Sequence, residues 1–196
     1  REQAQRIGFV LQNPDNQLVT DKVWHELAFG LESLGMAQSV IRLRVAEMAS
    51  FFGIQGWYHR EVTELSGGQK QLLNLAAVMA MQPDPLILDE PTSQLDPIAA
   101  AEFIAALKRV NGELGTTVLL SEHRLEEALP AADRVVVMGR GRISAEGPPS
   151  EVGRLLLASA DPMLAAMPTP MRVCLALEDG DGVCPVSVRE GRGWLQ

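Results

Sequence analysis

Hydrophobic and polar positions change rhythm twice along this chain. Arg6-Ile7-Gly8-Phe9-Val10-Leu11 is a short apolar run that stops at Gln12, and Asn13-Pro14-Asp15-Asn16 behind it is dense in turn formers. That pattern predicts a buried strand giving way to a loop. From Asp21 the spacing becomes helical, with Trp24, Leu27, Ala28 and Leu31 at i, i+3, i+4 and i+7 and Gly35 placed to close the helix. Ser39 reads as the N-cap of a second helix, whose stripe is Val45, Met48, Ala49 and Phe52 and whose end is Gly53. A third helix begins after Leu65-Ser66-Gly67-Gly68-Gln69, with Leu72, Leu75, Ala76 and Met79 on its inner face. Residues 20–80 are therefore expected to form a mainly helical insert.

Beyond it, strands and helices alternate. Leu86-Ile87-Leu88-Asp89 reads as a strand, and Asp96-Pro97 supplies an N-cap followed by proline at the first helical position. The helix so opened runs through Ala100, Ile104 and Leu107 and stops near Gly115. Thr116 to Ser121 is the next strand, and Arg134 to Met138, Gly139-Arg140-Gly141 and Arg142 to Ala145 read as a hairpin. Continuous apolar strands separated by helices predict an α/β fold with a mostly parallel core sheet covered on both faces. From Pro148-Pro149 onward prolines break the chain repeatedly, which suggests a domain over 1–147 and a separate C-terminal segment over 148–196.

Composition narrows the classes. The 196 residues are 46% hydrophobic and 21% charged, as expected of a folded globular chain. The net charge of −8 opposes a phosphate backbone, so no nucleic-acid partner is expected. No apolar run approaches the roughly eighteen residues of a membrane span. The two cysteines are too few for a disulfide framework or a tetrahedral metal site, which fits a reducing compartment. The chain begins at Arg1 inside the approach to a strand, so the start of the protein is expected to lie upstream.

The candidate chemistry sits at element ends. Leu65-Ser66-Gly67-Gly68-Gln69 immediately precedes a helix, whose N-terminus offers unpaired N–H groups and partial positive charge to a phosphate. The two glycines remove Cβ atoms that would hold a polyphosphate off the backbone, and Ser66 can donate through its hydroxyl. The plainer reading is a turn that caps a core helix. Asp89 and Glu90 end a buried strand, where one carboxylate can hold Mg²⁺ and its neighbour can polarise an attacking water. The plainer reading there is a strand that has reached solvent. His123 lies just beyond another strand end, where it can hydrogen-bond a terminal phosphate or serve only as a loop residue.

Taken in order, these residues resemble the nucleotide-binding cassette of ATP-binding-cassette (ABC) transporters, a P-loop NTPase-like fold. The glutamine loop is Gln12, the signature Leu65 to Gln69, the Walker B strand Leu86 to Asp89, the catalytic glutamate Glu90, the D-loop Ser93 to Asp96 and the switch histidine His123. The segments Gln12 to Gln17, Ala28-Phe29-Gly30-Leu31-Glu32 and the tail Pro185 to Glu190 are similar to the energy-coupling-factor group, which powers vitamin and metal import. Gln69 to Leu75 and Leu88 to Pro97 resemble tandem ATPases assigned to import of hydroxymethylpyrimidine, a thiamine precursor. The resemblance implies ATP and Mg²⁺ as cofactors, with Asp89 and Gln12 toward the metal. It implies catalysis by Glu90 and His123, and nucleotide contact by Leu65, Ser66, Gly67, Gly68, Gln69 and Gln12. It further implies a second cassette packed head to tail, transmembrane transporter subunits as partners and a place on the cytoplasmic face of the membrane.

One departure stands against these matches. The family's phosphate loop, G-x-x-x-x-G-K-[ST], is not found, because Lys22, Lys70 and Lys108 come directly after Asp21, Gln69 and Leu107. The cassette is therefore expected to be partial, truncated at its N-terminus and inactive alone. The rival expectation is a non-catalytic or non-transport cassette that lends its signature to a partner.

Overall fold

A computed structural model describes residues 6–177 and 183–196. The chain forms two compact units, divided between His123 and Arg124.

The first unit is built on three parallel strands, β1 (Gly8–Val10), β2 (Pro85–Asp89) and β3 (Thr117–Ser121), in that spatial order. Phe9 pairs with Ile87 and Ile87 with Leu119, so one row crosses all three strands. Helix α1 (Val23–Ser33) and helix α2 (Gln38–Phe51) form the helical layer with α3 (Gly67–Ala80), and α4 (Pro97–Leu114) packs beside α3 and against β3. Helix α3 also covers the sheet: a Cβ on Gly8 would stand 2.7 Å from Val78 Cγ1, so glycine lets strand and helix approach. Within these residues the Leu86 and Leu88 side of the sheet is buried, whereas Phe9 and Leu119 on the other side are 44% and 62% exposed.

The helix boundaries reflect local chemistry. Asp96 caps α4 by accepting from the N–H groups of Ile98 and Ala99, both at 3.0 Å, and Gly115 closes it at φ 69°. In α1 the buried stripe is Val23, Leu27, Ala28 and Leu31, while Trp24 lies at the surface against His25. The buried face extends to Val23 and Glu26, whose carboxylate accepts from the N–H groups of Val19 and Thr20 at 3.1 and 2.8 Å. Helix α2 starts after Ala37, so Ser39 lies within its first turn and is not the cap. Its stripe of Val45, Met48, Ala49 and Phe52 is buried. Helix α3 is buried over more than one stripe: Gln71, Leu73 and Asn74 are enclosed, and Leu72 only half so.

The second unit contains α5 (Leu125–Ala128), the antiparallel hairpin β4 (Val135–Gly139) and β5 (Arg142–Gly147), and helices α6 (Pro149–Ala158), α7 (Thr169–Leu177) and α8 (Val188–Trp194). Arg140 and Gly141 both adopt positive φ, 51° and 73°, as a tight hairpin turn demands. The hairpin packs on α6 and α7, because Val137 and Ala145 join Val152, Leu156, Met171 and Cys174 in one core. The structural division thus falls before the hairpin, where the sequence suggested residue 147. The prolines read as breaks start elements instead: Pro149 opens α6, and Pro170 lies in the first turn of α7.

Candidate functional site

Parallel pairing brings the C-terminal ends of β1, β2 and β3 to one edge of the sheet, where chain segments far apart in sequence converge. Glu90 leaves β2 with φ 42°, a left-handed conformation that costs a non-glycine residue about 1–3 kcal/mol. Its backbone is held there from β3, since the Glu90 N–H donates to the Ser121 carbonyl at 3.1 Å and reaches Ser121 Oγ at 3.2 Å. The turn aims the carboxylate between two partners. His123 Nε2 lies 2.8 Å from Glu90 Oε1, and Gln12 Nε2 donates to Glu90 Oε2 at 3.3 Å. Gln12, Glu90 and His123 therefore form one hydrogen-bonded constellation, although pairs of them are 78 and 33 positions apart.

Further residues brace it, and sequence reasoning did not single them out. Ser121 Oγ donates to Asp89 Oδ1 at 2.9 Å, fixing the carboxylate next to Glu90. Glu122 accepts from Thr92 Oγ1 at 2.7 Å and from the His123 N–H at 3.0 Å, tying the loop after β2 to the one after β3. Gln71, fully buried on α3, donates through Nε2 to the carbonyls of Leu11 and Pro91 at 3.0 and 3.1 Å. It clamps the exits of β1 and β2 to the signature helix. Gln17 closes the loop after β1, accepting from the Leu11 N–H at 2.9 Å and donating to the Phe9 carbonyl at 2.8 Å. The available signal was the amide spacing Gln71, Asn74 on one helix face, which apolar periodicity alone passes over. Gln71→Leu is expected to lower unfolding stability by about 1–2 kcal/mol, since two carbonyls lose their donor while the orphaned Gln71 Oε1 is removed. Chemical denaturation measures it.

The signature residues are organised by their own helix. Ser66 is the N-cap of α3: its Oγ accepts from the Gln69 N–H at 3.3 Å, and Gln69 Oε1 accepts from the Ser66 N–H at 3.0 Å. Leu65 is buried and anchors the turn. The structural and the phosphate readings are thus compatible, because the Ser66 hydroxyl proton is left to donate. The N–H groups of Gly67 and Gly68 have no partner among the described residues. The two glycines differ in purpose. A Cβ on Gly67 would meet nothing within 4 Å, whereas one on Gly68 would stand 2.7 Å from Ala99 Cβ on α4. Gly68 therefore also serves helix packing, a role the sequence reading did not assign to it. In the D-loop segment Ser93 is exposed and its N–H donates to the Glu90 carbonyl at 3.1 Å, while the Asp96 carboxylate is committed to the α4 cap.

The donor chemistry fits a hard divalent cation and a polyphosphate. Asp89 offers a carboxylate and Gln12 an amide carbonyl, oxygen ligands of the kind Mg²⁺ prefers. The α3 N-terminus offers open N–H groups. No helix among the described residues is long and apolar enough to cross a membrane.

The chain is similar to known ATP-binding proteins in sequence and in fold. The model of the ABC transporter family matches residues 1–93. A putative ABC transporter ATP-binding protein of Bacillus cereus is 59% identical over 149 residues, 76% of this chain and 27% of that protein. Energy-coupling factor transporter ATP-binding protein EcfA1 of Symbiobacterium thermophilum is 48% identical over 147 residues, 75% of this chain and 51% of that protein. The solved structure of cbiO1 from Clostridium perfringens, described as part of the ABC transporter complex cbiONQ, superposes with a TM-score of 0.75 at 30% identity, covering 100% of this chain and 69% of that one. The chain spans between about a quarter and a half of the length of these curated relatives.

Proposed function

The chain belongs to the ABC transporter family of ATP-binding proteins, and we propose that it works as part of an ATPase subunit that powers import through a membrane partner from the cytoplasmic face. The carrying observation is the constellation of Gln12, Glu90 and His123 at the strand ends. Bound MgATP supplies the γ-phosphoryl group and the metal charge that neutralises the phosphate oxygens. Glu90 takes the proton of the attacking water on its carboxylate. His123 Nε2 holds Glu90 Oε1, fixing the direction in which that proton leaves. Asp89, steadied by Ser121, and the Gln12 carbonyl would hold the metal. Gln12 also joins the loop after β1 to Glu90, so a change in that loop reaches the hydrolytic carboxylate in one hydrogen bond. Similarity to EcfA1 supports the energy-coupling-factor class and hence a vitamin, vitamin precursor or metal ion as cargo. Within that class, the segments Gln69 to Leu75 and Leu88 to Pro97 favour a hydroxymethylpyrimidine.

These 196 residues contain no G-x-x-x-x-G-K-[ST] segment, so hydrolysis needs a phosphate loop from outside them. The same feature favours a second reading, a module that only lends its signature to another cassette. Phosphate release separates the two. The 196 residues alone are expected to stay at background, and the whole protein to turn over and to lose on the order of 10²-fold in rate with His123→Ala while still binding ATP. Hydrolysis by the whole protein that is indifferent to His123→Ala would favour the second reading.

A further inference from the structure

Outside the site described above, the core of the second unit sets two thiols side by side. Cys174 lies on α7 and Cys184 on the stretch leading into α8; both are buried, at 0% and 1% exposure, and their Sγ atoms are 2.8 Å apart. The surrounding packing holds each cysteine in place. The Cys184 N–H donates to the Ser150 carbonyl on α6 at 3.3 Å, and the Val186 N–H donates to Glu190 Oε2 on α8 at 2.9 Å. Helix α7 is seated closely on α6 at Gly153, where a Cβ would stand 2.5 Å from Met171 Sδ. A disulfide forms only where two sulfurs are brought close together, and this packing supplies that approach.

We propose that Cys174 and Cys184 are a reversible modification site, a dithiol that a hydroperoxide closes to an intramolecular disulfide and a small thiol reopens. One cysteine, as thiolate, attacks a peroxide oxygen; the O–O bond breaks, hydroxide leaves and the sulfur becomes a sulfenic acid. The second thiolate attacks that sulfur, forms the S–S bond and expels a second hydroxide. The two protons released by the thiols convert both hydroxides to water. Two thiols are thus oxidised by two electrons, and one hydrogen peroxide is reduced to two waters. Burial makes the first step wait for an opening of the core that admits the peroxide. The second step is immediate, because its nucleophile is already in contact. The disulfide converts a packing contact between α7 and the entry to α8 into a covalent tie across ten positions.

The test treats the full chain with hydrogen peroxide at neutral pH and then denatures it in the presence of an alkylating agent. The expected product is about 2 Da lighter, takes up no alkyl groups and yields a peptide pair joined through Cys174 and Cys184, and dithiothreitol restores two alkylatable thiols. Single-cysteine variants, Cys174→Ala and Cys184→Ala, are expected to accumulate a sulfenic acid that dimedone traps, whereas the unaltered chain does not. The mass and linkage of the unaltered chain decide the matter even if a variant fails to fold. Two alkylatable thiols surviving in the unaltered chain, chains linked to one another, or sulfinic acid formed in place of the internal bridge would each overturn the proposal.

Discussion

Glu90→Gln in the whole protein is expected to slow ATP hydrolysis by roughly 10²- to 10⁴-fold while nucleotide still binds. The amide has the shape of the carboxylate, and the backbone that presents it is held independently by Ser121 from β3. Its partners His123 and Gln12 can each still be satisfied, since an amide both donates and accepts. What the substitution removes is the capacity to take a proton from water at the position between those two side chains. The backbone argues the same way. A non-glycine residue kept at φ 42° is strained, and such strain persists only where the surrounding structure imposes it, typically at sites of function. Phosphate release and binding of a fluorescent ATP analogue, measured on the same preparation, separate the two effects. Retention of most of the rate would move the water-activating role to another group.

The second large effect concerns the helix N-terminus. Ser66→Arg is expected to reduce ATP-driven closure of two cassettes, and hydrolysis with it, by at least about tenfold, an energy of about 1.4 kcal/mol. A long cation would fill the space beside Gly67, which is open to 4 Å, and would cover the two unpartnered N–H groups. Because Ser66 also caps α3, the arginine variant loses a hydrogen bond worth about 0.5–2 kcal/mol to the helix as well. Ser66→Asp removes that ambiguity. Aspartate is an equally good cap and suits the helix dipole, so α3 should be as stable as before, yet its charge repels a phosphate at the same place. Both variants should close poorly, and only the arginine variant should melt earlier. Labelling each composite site with a photoreactive ATP analogue should show the damage at the partner's phosphate loop. Closure unaffected by Ser66→Asp would mean that the signature does not act across an interface.

The local chemistry of this chain was legible in its order of residues. The Asp96 and Pro97 start and Gly115 stop of α4, the Ser66 and Gln69 capping pair, the turn at Arg140 and Gly141 and the apolar stripe of α2 all depend on partners within a few positions. The ordered motifs from Gln12 to His123 also pointed to the family before any geometry was known. Where reading by period failed, a polar group had intervened. Glu26 turned inward to serve two loop N–H groups, and Gln71 lay in the core, where two strand exits take its donors. Neither requirement is visible in hydropathy, which scores both as surface residues.

By itself, the sequence determined the main elements up to the hairpin, the caps of α3 and α4 and the identity of the reactive groups, because hydrogen bonds that span three or four residues depend on little beyond their own neighbours. Only the tertiary structure decided which of those groups meet. The register of three parallel strands brings Gln12, Glu90 and His123 to one edge. The packing of α3 against α4 makes Gly68 a packing residue. The folding of the hairpin onto the last helices builds a second core that presses Cys174 against Cys184. Each of these contacts joins residues distant along the chain, so its geometry belongs to the packing of whole elements and is carried by no single segment of sequence.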